Sequence, residues 1–149
     1  MRYLAPDGRL ATDDDAAEGL RRWRAHWEEH GYGLWAVEER TSGRFVGRIG
    51  LSHHRLWPQD VEVGWSLDPA VWGRGYATEG GAAALAHAFG ELGVDRVVSI
   101  VHPENAASIA VMGRLGIRPW RTVWWPEGAI DLDVRAIERE EWARLQSHA

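Results

Sequence analysis

The sequence predicts a mixed α+β domain, a mostly antiparallel sheet with one parallel strand pair, flanked by helices. Three observations carry that expectation. Residues 33–39 and 44–52 are short apolar segments joined by Arg40-Thr41-Ser42-Gly43, a hairpin signature. Residues 118–125 and 129–137 form a second such pair around Pro126-Glu127-Gly128. Between them, residues 61–101 read strand, glycine-containing loop, helix, strand, and two strands joined through a helix pair in parallel by a right-handed crossover.

Taken in order, the first element is a helix. Thr12 followed by Asp13, Asp14 and Asp15 makes a strong helix start, because short oxygen-bearing side chains cap the first amides and acids suit that pole. Ala16, Leu20, Trp23 and Trp27 are expected on its apolar face, and Gly31 is placed to stop it. The hairpin's second arm holds Gly47 and Gly50, which in a strand mark a bulge or close packing. A polar loop from His53 leads into Val61, Val63, Trp65 and Leu67, which alternate with Glu62, Gly64 and Ser66 as a two-faced strand does.

Pro69 ends that strand, and Gly73 and Gly75 precede a helix expected from Tyr76 to Leu92, stopped by Gly93. Residues 96–101 are a β-branched run and read as a buried strand. Asn105 caps a further helix to Leu115, Gly116 ends it, and residues 138–146 form a short terminal helix after the second hairpin.

At 149 residues, with 45% hydrophobic and 26% charged, the chain has the size and balance of one soluble domain with its own core. It contains no Cys, which removes disulfides, zinc-thiolate sites and a cysteine nucleophile. A formal net charge of -5 argues against binding nucleic acid by broad phosphate neutralisation. No apolar run approaches the roughly 20 residues that cross a bilayer, and there is no signal-peptide pattern, so the expected location is the cytoplasm.

The loop between strand and helix carries the first functional hint. Two glycines allow backbone angles and close approaches that a Cβ blocks, and the helix start behind them leaves amides unpaired, so the loop can hold a phosphate. A Walker loop would need a Lys, and the 17 basic residues are all Arg. A dinucleotide fingerprint would need an acid at the end of the next strand, whereas Asp95 lies before it. Both familiar phosphate loops fail on context.

The run Trp72-Gly73-Arg74-Gly75-Tyr76-Ala77-Thr78-Glu79, followed after a strand by Asn105-Ala106-Ala107-Ser108 and Leu115-Gly116-Ile117, resembles the GCN5-related N-acetyltransferase (GNAT) family. Within it the chain looks most like the Rim-type branch, which acetylates N-terminal amines of ribosomal proteins. The resemblance implies acetyl-CoA as co-substrate, a primary-amine acceptor, direct attack and no metal. It implies that Gly73, Arg74, Gly75, Tyr76, Ala77 and Thr78 hold the pyrophosphate, chiefly through backbone N–H groups. Asn105 would bond the pantetheine arm or merely cap its helix.

The resemblance implies a donor for the tetrahedral oxyanion on the backbone of Trp65, Ser66 or Leu67, available if a bulge interrupts the ladder. Trp72 stands where most relatives have Gln or Arg. Met112 stands where many have a Tyr that protonates the departing thiolate, which makes Ser108 the candidate proton donor. Glu62 matches an acid that draws a proton from the amine. Its plainer reading is a solvated strand residue or an Arg partner. His53 and His54 are rival bases, expected as loop histidines. Trp57, Trp120, Trp124 and Trp125 are either walls of an acceptor groove or core.

The family's usual first strand and helix would precede Met1 and are missing from the sequence. Residues 33–39 would then form a sheet edge, and the expectation is either a second copy of the chain covering it or a natural protein that starts upstream of Met1. A catalytically inactive acyl-CoA-binding module of the same fold is the rival reading.

Overall fold

A computed structural model describes residues 13–148. The chain order is α1 (Asp13–His30), β1 (Leu34–Glu38), β2 (Phe45–His53), β3 (Val61–Leu67), a 3-10 turn (Pro69–Val71), α2 (Tyr76–His87) running into a π turn (Ala88–Leu92), β4 (Arg96–Val101), α3 (Ala106–Leu115), β5 (Arg118–Trp125), β6 (Ile130–Glu138) and α4 (Arg139–Ser147). The mixed fold predicted from sequence is the fold observed. The expected cap Thr12 lies outside the described residues.

The six described strands lie in the order β1-β2-β3-β4-β6-β5, and only β3 and β4 are parallel. The β1–β2 register jumps from Val37 opposite Gly47 to Glu38 opposite Phe45, so Val46 is the extra residue of a bulge. Gly47 takes φ 146° there, and a Cβ on it would run into the backbone of Ser66 and Leu67, which is why this position holds glycine.

Helices α2 and α3 cover one face. Val63 of β3 and Val97 of β4 point into the same cluster as Leu85 and Phe89 from the α2 segment and Met112 and Leu115 from α3. Each large apolar side chain buried there stabilises the fold by about 1.5–3 kcal/mol. Helix α1 is tied to the β1–β2 end of the sheet. The Trp27 indole donates to the Leu34 carbonyl at 3.0 Å, His26 Nδ1 bonds the Tyr32 carbonyl at 2.9 Å, and the Arg48 guanidinium lies over the Trp23 ring. Its inward stripe is Trp23, His26, Trp27 and His30, not the expected Ala16–Leu20–Trp23–Trp27 face, and Leu20 is 54% exposed. The two histidines, polar in sequence, bond and stack on the sheet end and so rotate the buried face.

The parallel ladder is short. Only Val61↔Val97 and Glu62↔Val98 pair, after which β3 and β4 part. The Ser99 hydroxyl donates to the Val63 carbonyl at 2.8 Å, and the Ile100 N–H donates to the Glu62 carboxylate at 2.8 Å instead of to a strand carbonyl. The resulting wedge opens toward the starts of α2 and α3.

Candidate functional site

On the helical face of the wedge, the loop after β3 is shaped by its glycines. Gly73 and Gly75 adopt φ 79° and 82°, a left-handed conformation that costs a non-glycine residue about 1–2 kcal/mol. A Cβ added at either would meet no protein atom, so the surface beside them is open to an approaching group. The first helical bond of α2 runs from the Glu79 N–H to the Gly75 carbonyl at 2.9 Å. The amides of Tyr76, Ala77 and Thr78 therefore precede the helical ladder at its positive pole, an arrangement suited to a pyrophosphate.

Glu39, which sequence reasoning passed over, steadies this loop from the β1–β2 hairpin. Its carboxylate accepts from the Ser42 hydroxyl at 2.8 Å, the Tyr76 hydroxyl at 2.9 Å and the Arg74 guanidinium at 3.1 Å. The Ser42 and Tyr76 hydrogen bonds, with the nearby Arg charges, hold it below the usual carboxylate range. Trp72 is 57% exposed, and its indole donates to the Leu67 carbonyl at 2.9 Å, closing the loop back onto the strand end.

Strand polarity decides which backbone groups of β3 are free. The Asp68 N–H reaches the Val46 carbonyl at 2.8 Å, and the β2–β3 register is regular from Gly47↔Leu67 to His53↔Val61. Alternation therefore turns the amides of Gly64 and Ser66 toward β2, and those of Val63, Trp65 and Leu67 toward β4. No bulge interrupts β3, contrary to the condition set from sequence. The parting of β3 and β4 does that work instead, leaving the Trp65 and Leu67 N–H groups outside the ladder. Ser66 has its backbone committed to β2.

At the start of α3 the Asn105 side chain accepts from the Ser108 N–H at 3.1 Å, so the cap is formed, and its amide nitrogen stays available. The Trp65 indole donates to the Ser108 hydroxyl oxygen at 3.3 Å. That contact uses the oxygen as acceptor and leaves the hydroxyl proton to be donated elsewhere. Met112 is buried in the core.

The other face of the wedge holds a cleft of about 600 Å³, lined by Trp23 and His26 from α1, Ser52 to Leu56, Glu62, His102, Trp125 and Leu132. Glu62 projects into it from β3. Beyond its bond from Ile100, its carboxylate accepts from the Ser52 hydroxyl at 3.3 Å. Burial raises its pKa to about 7 against the opposing pull of those two hydrogen bonds. It is neither a solvated strand residue nor an Arg partner, the plainer readings its sequence position allowed.

Of the two histidines expected in the loop, His54 lies there and His53 does not. His53 is the last residue of β2, its ring stacked on His30 at 4.9 Å between centroids. His54 Nδ1 accepts from the Leu56 N–H at 3.1 Å, so its neutral ring carries the proton on Nε2. Burial, then the charges of Arg55 and His53, lowers its pKa. His54 thus faces the cleft as a donor. Of the four tryptophans weighed from sequence, Trp57 and Trp120 belong to the core, packed edge-to-face at 5.6 Å, Trp124 is exposed, and Trp125 lines the cleft. Trp23, on a distant helix, is the cleft residue that local sequence could not reveal.

Residues 1–118 match the family model of the acetyltransferase (GNAT) domain. The chain belongs to the GNAT acetyltransferase family. Its relatives include the FsC-acetyl coenzyme A-N(2)-transacetylase of Aspergillus fumigatus, 32% identical over 93% of this chain and 64% of that protein. Among solved structures, a GNAT-family acetyltransferase from Bordetella pertussis superposes with TM-score 0.76 at 26% identity, covering 85% of this chain and 77% of that one. RimJ of Mycobacterium smegmatis, solved with CoA-disulfide, gives TM-score 0.71 at 26% identity over 86% of this chain and 63% of that one. Rim-type enzymes are thus among the GNAT neighbours, as the motif text led us to expect. The chain spans 63% and 64% of the length of the first two curated relatives it matches.

Proposed function

We propose that this GNAT domain is an acetyl-CoA-dependent N-acetyltransferase that moves an acetyl group to a primary amine by direct attack, either a protein N-terminal α-amine or a small-molecule amine. The observation that carries the reading is Glu62. Its carboxylate sits in the cleft at the point where β3 and β4 part, with a pKa of about 7, between the motif-bearing face of the wedge and open solvent. A base poised near neutrality is what an ammonium acceptor requires, because an α-amine titrates near 8 and a lysine near 10.4.

In this reading the loop amides at 73–78 and the Arg74 side chain hold the pyrophosphate, and Asn105 meets the pantetheine arm. Glu62 takes a proton from the acceptor, directly or through water. The freed nitrogen attacks the thioester carbonyl carbon, and the Trp65 or Leu67 N–H stabilises the oxyanion. The C–S bond then breaks as the C–N bond is completed, and Ser108 supplies a proton to the departing thiolate. The residues fit the co-substrate, since both loop glycines leave open the space that a Cβ would fill.

Among the described residues no group of His, Asp or Glu side chains is arranged to hold a metal ion, and no step of this reading calls for one. A cytoplasmic location goes with the reading. Strand β1 is an edge of the described sheet, so we include a homodimer formed through it, which light scattering with hydrogen exchange at Leu34–Glu38 would test. Thiol release from acetyl-CoA across a panel of amines and N-terminal peptides tests the activity. Binding of acetyl-CoA without acetyl transfer to any acceptor would favour the inactive binding module.

A further inference from the structure

The cleft's polar groups are unevenly divided between acceptors and donors. Glu62 is the one carboxylate among its lining residues. Of the four lining histidines, only His53, its ring stacked on His30, keeps a ring nitrogen free to accept. His54 Nδ1 and His102 Nδ1 already accept the N–H groups of Leu56 and Glu104, each at 3.1 Å, so each neutral ring can offer only an Nε2–H. His26 accepts from the His53 N–H at 2.9 Å and has its other nitrogen bonded to the Tyr32 carbonyl. Arg55 adds a guanidinium whose charge is shared with Glu127 at 2.5 Å.

The apolar part of the lining is aromatic at both ends, Trp23 from α1 and Trp125 from the β5–β6 hairpin. An aromatic face can also hold a cation, but the Arg48 guanidinium already lies 5.3 Å from the centre of the Trp23 ring, and like charge disfavours a second cation beside it. One ammonium therefore finds a partner at Glu62. A second would meet imidazole N–H groups and guanidinium charge, with only the neutral His53 ring and the Trp125 face to offset its desolvation cost, and no second carboxylate.

From this division we infer that the acceptor is a primary monoamine on a compact apolar or aromatic body that carries an acceptor oxygen near the amine, as an α-aminoacyl group does, and that polyamines are poor substrates. The inference rests on the proposed acetyl transfer and sharpens which amine it serves. A cleft of about 600 Å³ accommodates one such group, within the usual range for small-ligand sites. Trp125 is the specificity residue and touches the body of the acceptor, while Glu62 takes the amine.

The test is thiol release at saturating acetyl-CoA with phenylalanine amide, phenethylamine, ethylamine and spermidine, each kcat/KM corrected for the fraction of free amine, alongside calorimetry of acetyl-CoA binding. Phenethylamine should exceed spermidine at least tenfold, and phenylalanine amide should exceed phenethylamine. Trp125→Ala should lower kcat/KM for the two aromatic amines, through KM, about tenfold more than it does for ethylamine, with acetyl-CoA affinity unchanged. Spermidine turned over as well as phenethylamine, or a Trp125→Ala loss equal for ethylamine and phenethylamine, would overturn the inference and leave acetyl transfer standing. Acetyl-CoA binding with no turnover of any amine would instead remove the acetyl-transfer reading and this inference together.

Discussion

The two faces of the β3–β4 wedge are built by different means. On the helical face, recognition is assigned mostly to the main chain: the left-handed glycines at 73 and 75, the first amides of α2, the Asn105 cap of α3 and the strand amides freed where the ladder opens. On the cleft face it is assigned to side chains gathered from α1, β2, the loop after it, β3, β6 and the hairpin, with Trp23 and Leu132 more than a hundred residues apart. Main-chain recognition leaves a local mark, since only certain residues permit the required angles. A side-chain cleft leaves none until the chain has folded.

Substitutions on the two faces should therefore fail differently. The largest effect is expected from Gly75→Val, which adds a side chain to the open surface of the loop and forces a β-branched residue to φ 82°. Calorimetry should detect no acetyl-CoA binding by a variant that remains folded. Unchanged affinity would detach the pyrophosphate from this loop and erase the contrast.

Ser108→Ala should lower kcat by about 10²-fold, the low end of general-acid effects, with acetyl-CoA affinity nearly intact. Full activity would mean that water protonates the thiolate and that the Trp65 contact only packs the helix start. On the cleft face, Glu62→Gln should change how stability depends on pH. The native pKa of about 7 lies above the ordinary carboxylate value of 4.5, so the native state holds this proton more tightly than the unfolded chain does. The associated stability is complete below pH 4.5 and is lost as pH rises through 7. Thermal melts should show the variant gaining on the parent by up to about 3 kcal/mol between pH 5 and pH 8. Parallel melting curves would mean that the carboxylate is better solvated than its surroundings indicate.

The smallest effect is expected from Arg74→Ala, about threefold in acetyl-CoA affinity, because the guanidinium is exposed and already shared with Glu39. A loss of a hundredfold would move this residue from an accessory clamp to a principal phosphate ligand.

The same contrast decides what was legible from sequence. Strand alternation at 61–67, the cap and stop residues of α3 and the glycine-bearing loop were all readable because each is a short-range demand of the backbone. The inward face of α1 was misread because His26 and His30 count as polar in a helical stripe, whereas they bond and stack against Tyr32 and His53. Glu39 stayed hidden because its partners Arg74 and Tyr76 lie 35 and 37 residues away. The freed strand amides were expected from a bulge, yet they come from a wedge between two strands whose paired residues lie 36 positions apart, which no local pattern encodes.

Glu62 joins the two faces, and its titration is the most direct test of the account. With a saturating acetyl donor, kcat/KM for an amine should rise with pH through an apparent pKa near 7 as the carboxylate ionises. Glu62→Gln should lose that limb and fall by about 10² to 10⁴ near neutral pH, the deficit shrinking at high pH as the amine deprotonates unaided. Parent and variant profiles of the same shape and height would contradict the account and take the base away from Glu62.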